Sequence, residues 1–373
     1  MKILFLALDV DLDRNAGDSI HVRELTSSLG KLGHSVELLA RGGGGESFGG
    51  GVRLRPLRSG GFRHDLRAAL QVAKETKPEA IYERRLVAKV GLVTSRLFRA
   101  PLTLEVNGLP DEERSILNPA APPPSRVRLA GRRILLLGAR TIVAVSESIR
   151  QSLQRTYGLS ASRITVVPNG VNIEKFRPMD KLQCRKSLGL NLASPAVGFV
   201  GNLVPWQGVD VLIRSAGELR RRGRPIHVLI VGDGPDRRRL EILSESEGLS
   251  GNISFFGSVP YSSVPVYIGA FDVGVSLKPP LLPGSPLKVR EYMACARPVI
   301  ASINTDYDFE IVESAKAGVL TNPRDINEVA TELDLLLGNP ARMAEMGVRG
   351  RAYARDQCSW DQTAARVSKI ISR

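Results

Sequence analysis

Cysteine and aromatic residues are scarce in this chain. Its 373 residues include 3 cysteines, which stand far apart, and aromatic residues make up 5%. Because no two cysteines have paired spacing, the sequence indicates neither a disulfide framework nor a zinc site. The chain also lacks a zinc knuckle and any stretch that interleaves basic and aromatic residues, which argues against nucleic-acid binding. We therefore expect a protein of a reducing compartment with no nucleic-acid partner.

Long apolar runs are missing as well. No segment approaches the ~18 apolar residues of a transmembrane helix, and the apolar start at 3–8 meets Asp9 instead of a small-residue cleavage site. We expect this start to be a first strand and the protein to be cytoplasmic, with any membrane attachment peripheral, at the inner face of the cell membrane. An apolar fraction of 43% over this length predicts two domains, each with its own core.

The net charge is +14, and the basic excess is concentrated in the first half. Residues 1–180 hold 28 Lys and Arg against 18 Asp and Glu, a balance that suits an anionic membrane or a phosphate-bearing lipid. Within this half, residues 125–140 combine arginines with apolar residues, as in a helix that lies in a membrane interface. The same pattern fits a helix packed on a sheet, and both interpretations stay open.

Short apolar runs alternate with helical patterns along the chain, which predicts an α/β fold with parallel sheets built from β-α-β units. The glycine-rich segments 42–51 and 58–61 are predicted loops, because glycine at that density does not hold a strand or a helix. The predicted strands are residues 3–8, 35–40, 80–83, 102–106, 141–145 and 164–167, then 196–200, 227–231, 253–256, 272–276 and 298–302. We therefore predict two doubly wound sheets, in domains at 1–178 and 179–355, followed by a helix at 356–373.

Ligands of open parallel sheets bind beyond the carboxyl ends of the strands, so polar and glycine residues at those ends are candidate site residues. They include Gly17, Arg84, Glu105, Asn107, Ser146, Asn169, Asn202, Gln207, Gly232, Asp233, Gly234, Gly257 and Lys278. Asp9, Asp11 and Asp13 mimic a metal-binding Asp-x-Asp pattern, but we expect them to solvate a loop. His21 is expected to pack or cap within the first helix rather than to take part in catalysis.

The segment 283–300 is the most informative one. Ser285 can cap a helix and Pro286 suits its first turn, so the following backbone N–H groups lie at a positive helix end that suits a phosphate. Lys288 and Glu291 share one helical face, with the cation at the helix start and the carboxylate one turn deeper. This order fits a diphosphate followed by a ribose. The alternative is an ordinary exposed ion pair on a surface helix.

This segment closely resembles the donor-binding helix of glycosyltransferase family 4, and further motifs similar to that family follow in the same order. They are the glycine loop and first helix at 16–25, the interdomain signature at 143–147 and 166–172, and the donor-domain loops at 200–210, 230–235 and 256–260. The resemblance implies a GT-B fold, with two Rossmann-like domains facing a central cleft and the helix around Trp360 crossing back onto the first domain. It also implies metal-independent transfer from a nucleotide-sugar, with retention of anomeric configuration and no cofactor.

The resemblance further implies roles for individual residues. Glu291 would hold the ribose, Lys288 would neutralise the leaving phosphate, and the backbone near Val259 would contact the base. The other residues expected on the donor side are Gly17, Asn202, Gln207, Gly232, Ser285 and Leu287. The residues expected at the acceptor, at the reaction centre or on a further phosphate are Arg84, Glu105, Asn107 and Lys278.

Four positions depart from the family pattern. Pro283, Asn202 and Gln207 stand where members commonly carry Glu, Arg and Lys, and Asn107 is the best match to a position where they often carry His. We expect transfer of a hexose from a UDP- or GDP-linked donor to a hydroxyl of a glycan or lipid-linked acceptor. The departures leave two alternatives open. One is a catalytically silent subunit that binds nucleotide or a partner, and the other is an epimerase of nucleotide-sugars.

Overall fold

In a computed structural model the chain forms two compact units. The structure describes residues 1–14, 16–43, 48–58, 60–118, 120, 122–190, 195–278, 287–303 and 307–373. The first unit holds Met1–Gly170 together with Trp360–Arg373, and the second holds the described residues between 171 and 359. The boundaries drawn from the sequence, at 178 and 355, stay predictions.

The first unit is built on a seven-stranded parallel sheet. Its strands are β1 (Lys2–Asp11), β2 (Ser35–Arg41), β3 (Val52–Leu57), β4 (Ala80–Arg84), β5 (Leu102–Val106), β6 (Thr141–Ala144) and β7 (Ile164–Val166). Its helices before the second unit are α1 (Gly17–Lys31), α2 (Phe62–Thr76), α3 (Lys89–Phe98), α4 (Pro110–Leu117), α5 (Arg126–Leu137) and α6 (Glu147–Tyr157). The strand order is β3-β2-β1-β4-β5-β6-β7, so the order reverses between β1 and β4, as in doubly wound sheets.

The second unit repeats this plan with a six-stranded parallel sheet in the order β10-β9-β8-β11-β12-β13. Its strands are β8 (Ala196–Val200), β9 (His227–Val231), β10 (Ile253–Phe255), β11 (Val273–Ser276), β12 (Val299–Ser302) and β13 (Gly318–Thr321). Its helices are α7 (Lys181–Ser187), α8 (Val209–Arg221), α9 (Arg237–Ser246), α10 (Val264–Ala270), α11 (Leu287–Ala294), α12 (Tyr307–Ser314), α13 (Ile326–Leu337) and α14 (Pro340–Gln357). The α/β fold with two doubly wound sheets is therefore confirmed.

The eleven predicted strands are all present, and the sequence interpretation missed β3 and β13. Both are edge strands. Arg53, Arg55 and Pro56 interrupt the apolar pattern of β3, and an edge position tolerates proline because one side of the strand needs no ladder hydrogen bonds. β13 has four residues and starts at Gly318, where a Cβ atom would lie 1.8 Å from the carbonyl oxygen of Val299. Close backbone packing explains the glycine there, and the glycine weakens the strand signal.

The last helix, α15 (Trp360–Ile371), belongs to the first unit and packs against α1. Oγ of Ser28 donates a hydrogen bond of 2.7 Å to Oδ1 of Asp361. At the start of α15, Trp360 is buried and stands edge-on to the ring of His21, with 5.1 Å between the ring centroids. The first unit is thus assembled from two separate parts of the sequence. Within the parts of the chain described above, no helix is both long and apolar enough to cross a membrane.

Candidate active site

Lys288 lies at the second position of α11 in the second unit, and its side chain is buried with 8% exposure. Its Nζ atom donates a hydrogen bond of 2.7 Å to Oε1 of Gln207 and stands 4.0 Å from the ring centroid of Phe199. Gln207 comes from a short 3₁₀ turn, Pro205–Gln207, that follows β8. The structure therefore brings together two of the predicted donor-side residues that are far apart in the sequence.

Burial changes the protonation of this lysine. It lowers the pKa of the Lys288 ammonium, the charge of Lys278 lowers it further, and the carboxylate of Glu291 opposes both, so that the pKa falls to about 7. A bound anion such as a diphosphate would favour the charged form of the side chain. The role of Lys288 at a donor phosphate stays a prediction.

Glu291 lies one turn further along α11 and is 5% exposed. The hydroxyl of Tyr261 donates a hydrogen bond of 2.9 Å to its Oε1 atom. Tyr261 opens the 3₁₀ turn Tyr261–Ser263, two residues after Val259, so the predicted ribose-binding carboxylate and the predicted base-contacting segment are linked. The alternative of an exposed ion pair is wrong, because the side chains of both Lys288 and Glu291 are buried.

Glycines let the loops after β8 and β9 approach each other closely. Gly232 has φ +130°, and a Cβ atom there would lie 2.0 Å from the carbonyl oxygen of Gly201. Gly208, just after Gln207, has φ +69°, and a Cβ atom there would lie 2.0 Å from the carbonyl oxygen of Leu277. Side chains are excluded at these two positions, so the turn that carries Gln207 is held in place by backbone packing.

Several other residues singled out in the sequence have less defined surroundings. Asn202 is exposed, Leu287 and Lys278 are half-buried, and Gly17 is the exposed first residue of α1 in the first unit. Ser285 and Pro283 lie outside the described residues. The roles predicted for these residues stay predictions.

In the first unit, a buried polar network surrounds Glu105 on β5, whose side chain is 2% exposed. The hydroxyl of Tyr82 donates to its Oε2 atom over 2.5 Å, and the amide nitrogen of Asn107 donates to Oε1. Nε2 of His21 lies 2.8 Å from Oε1, and Nε of Arg84 lies 3.6 Å from it. Arg84 and Glu105 are register partners on β4 and β5, which explains why three predicted residues meet here.

The charges around Glu105 keep its carboxyl group ionised. Burial raises its pKa, but His21, Arg84 and the Tyr82 hydroxyl outweigh burial and lower the pKa to about 2. Burial and the Glu105 charge raise the pKa of Tyr82 well above its usual value, so its hydroxyl remains a donor. Glu105 is therefore a permanent carboxylate at ordinary pH.

His21 does more than the packing expected of it. Its Nδ1 atom lies 2.8 Å from Oδ1 of Asn169, while its ring packs against Trp360 and its Nε2 atom faces Glu105. The sequence interpretation missed this contact with a candidate catalytic residue. The only local signal was a histidine on the first helix, and the contact depends on residues 84 positions apart, as the numbering shows.

The Asp-x-Asp pattern takes part in loop structure. Oδ1 of Asp13 accepts a hydrogen bond of 2.8 Å from the backbone N–H of Gly43, and Oδ1 of Asp11 accepts one of 3.0 Å from that of Asp13. Within the described ranges, no group of three or more His, Cys, Asp or Glu side chains is arranged to hold a metal ion. Metal independence of the reaction stays a prediction.

Two family models match nearly the whole chain between them. The description "Glycosyltransferase Family 4" matches residues 16–175, and "Glycosyl transferases group 1" matches residues 180–353. The chain belongs to glycosyltransferase family 4. The two matches meet near the junction of the two units, and this glycosyltransferase carries Lys288 and Glu291 within the second match.

Known proteins resemble this glycosyltransferase over most of its length. D-inositol 3-phosphate glycosyltransferase of Nocardia farcinica is 33% identical over 288 residues, which cover 75% of this chain and 62% of the relative. A GDP-mannose-dependent alpha-(1-6)-phosphatidylinositol monomannoside mannosyltransferase of Mycolicibacterium smegmatis is 30% identical over 243 residues, which cover 63% of this chain and 62% of the relative. The chain thus spans about three fifths of the length of both relatives.

A solved structure supports the fold. HepE of Anabaena, in complex with UDP and glucose, matches with a TM-score of 0.81 at 20% identity, covering 100% of this chain and 99% of that chain. At this identity the likeness speaks for the fold alone. It agrees with the two parallel-sheet units, and the GT-B fold class predicted from the sequence is confirmed.

Proposed function

We propose that this glycosyltransferase moves a hexose from a UDP- or GDP-linked donor to a hydroxyl of a lipid-linked or cell-surface glycan precursor, with retention and without a metal. The observation that carries the proposal is the pairing of Lys288 with Glu291, buried one turn apart on α11. A cation at a helix start suits a diphosphate, and a carboxylate one turn deeper suits ribose hydroxyls. Both relatives are named as glycosyltransferases, one of them as GDP-mannose-dependent, and HepE was solved with UDP and glucose.

The proposed transfer needs few protein groups. The bond between the anomeric carbon and the oxygen of the β-phosphate breaks, and the acceptor oxygen forms its bond on the same face of that carbon. The acceptor's proton goes to the departing phosphate oxygen. Lys288 would balance the negative charge that grows on the leaving diphosphate, an electrostatic contribution that a dry environment makes effective.

On the acceptor side, Glu105 and Asn107 are the proposed contacts for hydroxyl groups. Glu105 is held by Tyr82 and His21, so its orientation is fixed before any ligand arrives. Asn107 donates to Glu105 through its amide nitrogen, which leaves the amide oxygen as an acceptor. Pre-set hydrogen-bonding groups of this kind position a substrate at little entropic cost.

We also propose a peripheral contact with anionic membranes through α5. Leu136 on this helix is fully buried, so one side packs in the core as the packing interpretation expected. Val127 and Ile134 are 83% and 67% exposed on the same helix, which begins at Arg126. An exposed apolar surface beside arginines suits a headgroup interface.

Incubation with radiolabelled UDP-glucose and GDP-mannose tests the proposed reaction. Slow hydrolysis of one donor that is lost in Lys288→Ala, and kept in the exposed control Lys186→Ala, would support a transferase. Interconversion of the sugar without loss of the nucleotide would instead indicate the epimerase. Nucleotide binding without either reaction would indicate the silent subunit.

A further inference from the structure

A pocket of the first unit lies at the carboxyl ends of β1, β4 and β5, and it has a volume of about 350 Å³. Its lining includes the guanidinium groups of Arg84, Arg85 and Arg132 and the carboxylates of Asp9 and Glu105. Each arginine faces one carboxylate, Arg84 that of Glu105, Arg85 that of Asp9 and Arg132 that of Asp111. The first two ion pairs are too long for hydrogen bonds, so these arginines keep N–H donors for an anionic ligand.

Arg84 contributes an unsatisfied donor to this pocket. Its side chain is 14% exposed, and its buried Nε–H group has no hydrogen-bond partner among the residues that the structure describes. Oε1 of Glu105 lies 3.6 Å from Nε of Arg84, which is too far for a hydrogen bond. The carboxylate oxygens of Glu105 already accept hydrogen bonds from Tyr82 and Asn107. A buried N–H group without a partner destabilises the protein, so the arrangement indicates an acceptor supplied by a ligand.

The two other arginines are placed to support such a ligand. Nε of Arg85 stands 3.7 Å from Oδ2 of Asp9, beyond hydrogen-bond distance. Arg132 on α5 is anchored by Asp111 and by the Tyr157 hydroxyl at 3.4 Å, which fixes its position at the pocket. The planar fork of a guanidinium matches the oxygens of a phosphate better than it matches a neutral hydroxyl.

We propose that this pocket binds a phosphate group carried by the acceptor, with Arg84 as its main ligand. The inference rests on the proposed function, because it names a substrate class for the same transfer. Glu105 and Asn107, in the same lining, then contact hydroxyls next to that phosphate. The ligand class is a phosphate ester of a polyol or sugar, either soluble or as a lipid headgroup.

Inorganic phosphate is the first probe, because it does not depend on the acceptor's scaffold. Its affinity is measured by ³¹P line broadening with UDP and GDP present to occupy donor sites. We expect Arg84→Gln to weaken binding by about tenfold or more, the scale of one lost charge-assisted hydrogen bond, and Arg84→Lys to restore part of it. The control is Arg53→Gln, which replaces an exposed arginine on β3. This variant should bind phosphate with the affinity of the unmodified protein.

Several outcomes would overturn the proposal. Absent binding, or equal affinity in the unmodified protein and Arg84→Gln, would do so. If Arg84→Gln does not fold, Arg85→Gln replaces it, since that side chain is 43% exposed, and unchanged affinity there would count against the proposal in the same way.

A second arm names the source of the phosphate. D-inositol 3-phosphate represents a soluble ester, and phosphatidylinositol in phosphatidylcholine vesicles represents a lipid headgroup. Arg84-dependent binding of either one supports the proposal and identifies the source. Binding of inorganic phosphate but of neither ester would reduce the pocket to a small-anion site and overturn the acceptor role.

Donor turnover measured in the same preparations separates the two proposals. If phosphate binding depends on Arg84 but no nucleotide-sugar binds, the proposed function is wrong and the pocket is a phosphate site. Donor hydrolysis without Arg84-dependent phosphate binding would leave the transferase and sink the phosphate pocket.

Discussion

Nζ of Lys288 donates a hydrogen bond to Oε1 of Gln207 over 2.7 Å, although the two residues are 81 positions apart. Members of the family commonly carry a lysine where this chain has Gln207. Two ammonium groups at this separation would repel each other, whereas the amide oxygen stabilises the single ammonium of Lys288. The glutamine is therefore matched to Lys288, and the pair carries one positive charge at pH values below about 7.

The first prediction follows from this match. Lys288→Ala should lower kcat/KM by ~10²-fold or more, the scale of one lost electrostatic contact in the transition state. Gln207→Lys alone should also lower kcat/KM, because it places a second ammonium beside Lys288. In the Lys288→Ala background, Gln207→Lys together with Asn202→Arg should instead recover part of the lost rate.

Steady-state kinetics of the single and combined variants test whether Gln207→Lys lowers kcat/KM when Lys288 is present and raises it, together with Asn202→Arg, when Lys288 is replaced. Lys186→Ala is the control for removing an exposed lysine. Full activity of Lys288→Ala would show that the neutralising charge lies elsewhere, with Lys278 next to test.

The second prediction concerns pH. The pKa of Lys288 is lowered to about 7 in the free protein, chiefly by burial, and a bound diphosphate would raise it again. Donor binding above pH 7 should therefore take up a proton, and donor affinity should fall as the pH rises from about 7 to 9. Calorimetry with a nucleotide-sugar, in two buffers of different ionisation enthalpy, counts the protons. The same uptake in Lys288→Ala would assign the effect to another group.

The third prediction tests the carboxylate on α11. Glu291→Gln should weaken donor binding by about 1.5–3 kcal/mol, because the charge-assisted hydrogen bond to a ribose hydroxyl is lost. Tyr261→Phe removes only the hydrogen bond that orients Glu291, so its effect should be smaller, about 0.5–1.5 kcal/mol. Binding titrations with the nucleotide-sugar and with the free nucleobase separate ribose binding from base binding. Neither substitution should change the affinity for the nucleobase alone. Unchanged donor affinity in Glu291→Gln would remove this residue from the site.

The fourth prediction concerns stability. Glu83 on β4 is 1% exposed, its Oε2 atom accepts a hydrogen bond of 2.7 Å from the backbone N–H of Gly91, and burial raises its pKa to about 8. Between the ordinary value near 4.3 and about 8, the unfolded chain releases a proton that the folded protein keeps, so stability should fall as pH rises through this window.

Glu83→Gln removes this titration while keeping the shape of the side chain. Urea unfolding at pH 5 and pH 8 should show a larger gain in stability for the variant at pH 8. The exposed control Glu245→Gln should show no such difference. An equal effect of Glu83→Gln at both pH values would mean that Glu83 is ionised in the folded protein.

The fifth prediction addresses the membrane. Flotation with vesicles that contain phosphatidylglycerol should recover the protein, and recovery should fade as salt is added. Ile134→Ser should reduce recovery, because Ile134 is 67% exposed and would insert its side chain into the interface. Leu335→Ser, at 56% exposure on α13, is a matched change in the other unit and should have little effect. Equal recovery with neutral vesicles would contradict an electrostatic contact.

Local patterns in the sequence identified those features of the site that depend on short spacing. Lys288 and Glu291 are three positions apart, so helical geometry alone places them on one face. The strand ends that carry Arg84 and Glu105 follow from apolar runs, and their meeting follows from parallel pairing of the neighbouring strands. Both interpretations use only neighbours in the chain or in a sheet.

Contacts between segments that are far apart in the sequence could not be predicted from local patterns. Nothing near Gln207 in the sequence indicates Lys288, and nothing near His21 indicates Glu105, because loop packing and the position of α1 bring these residues together. The edge strand β3 was missed for a related reason, since Arg53 and Arg55 lack the burial that makes central strands recognisable. Tertiary packing supplies what these local patterns lack.

The placement of α15 in the first unit has a consequence for the order of events during synthesis. A ribosome completes residues 171–359 before it makes Trp360, so the whole second unit is synthesised while the first still lacks its closing helix. Until then the His21 ring has no indole against it, and Gly170, where a Cβ atom would lie 2.7 Å from the Trp360 backbone, has no neighbour there. The hydrogen-bond network around Glu105 is therefore completed only after α15 is made. A chain truncated before α15 would lack the packing of Trp360 against His21.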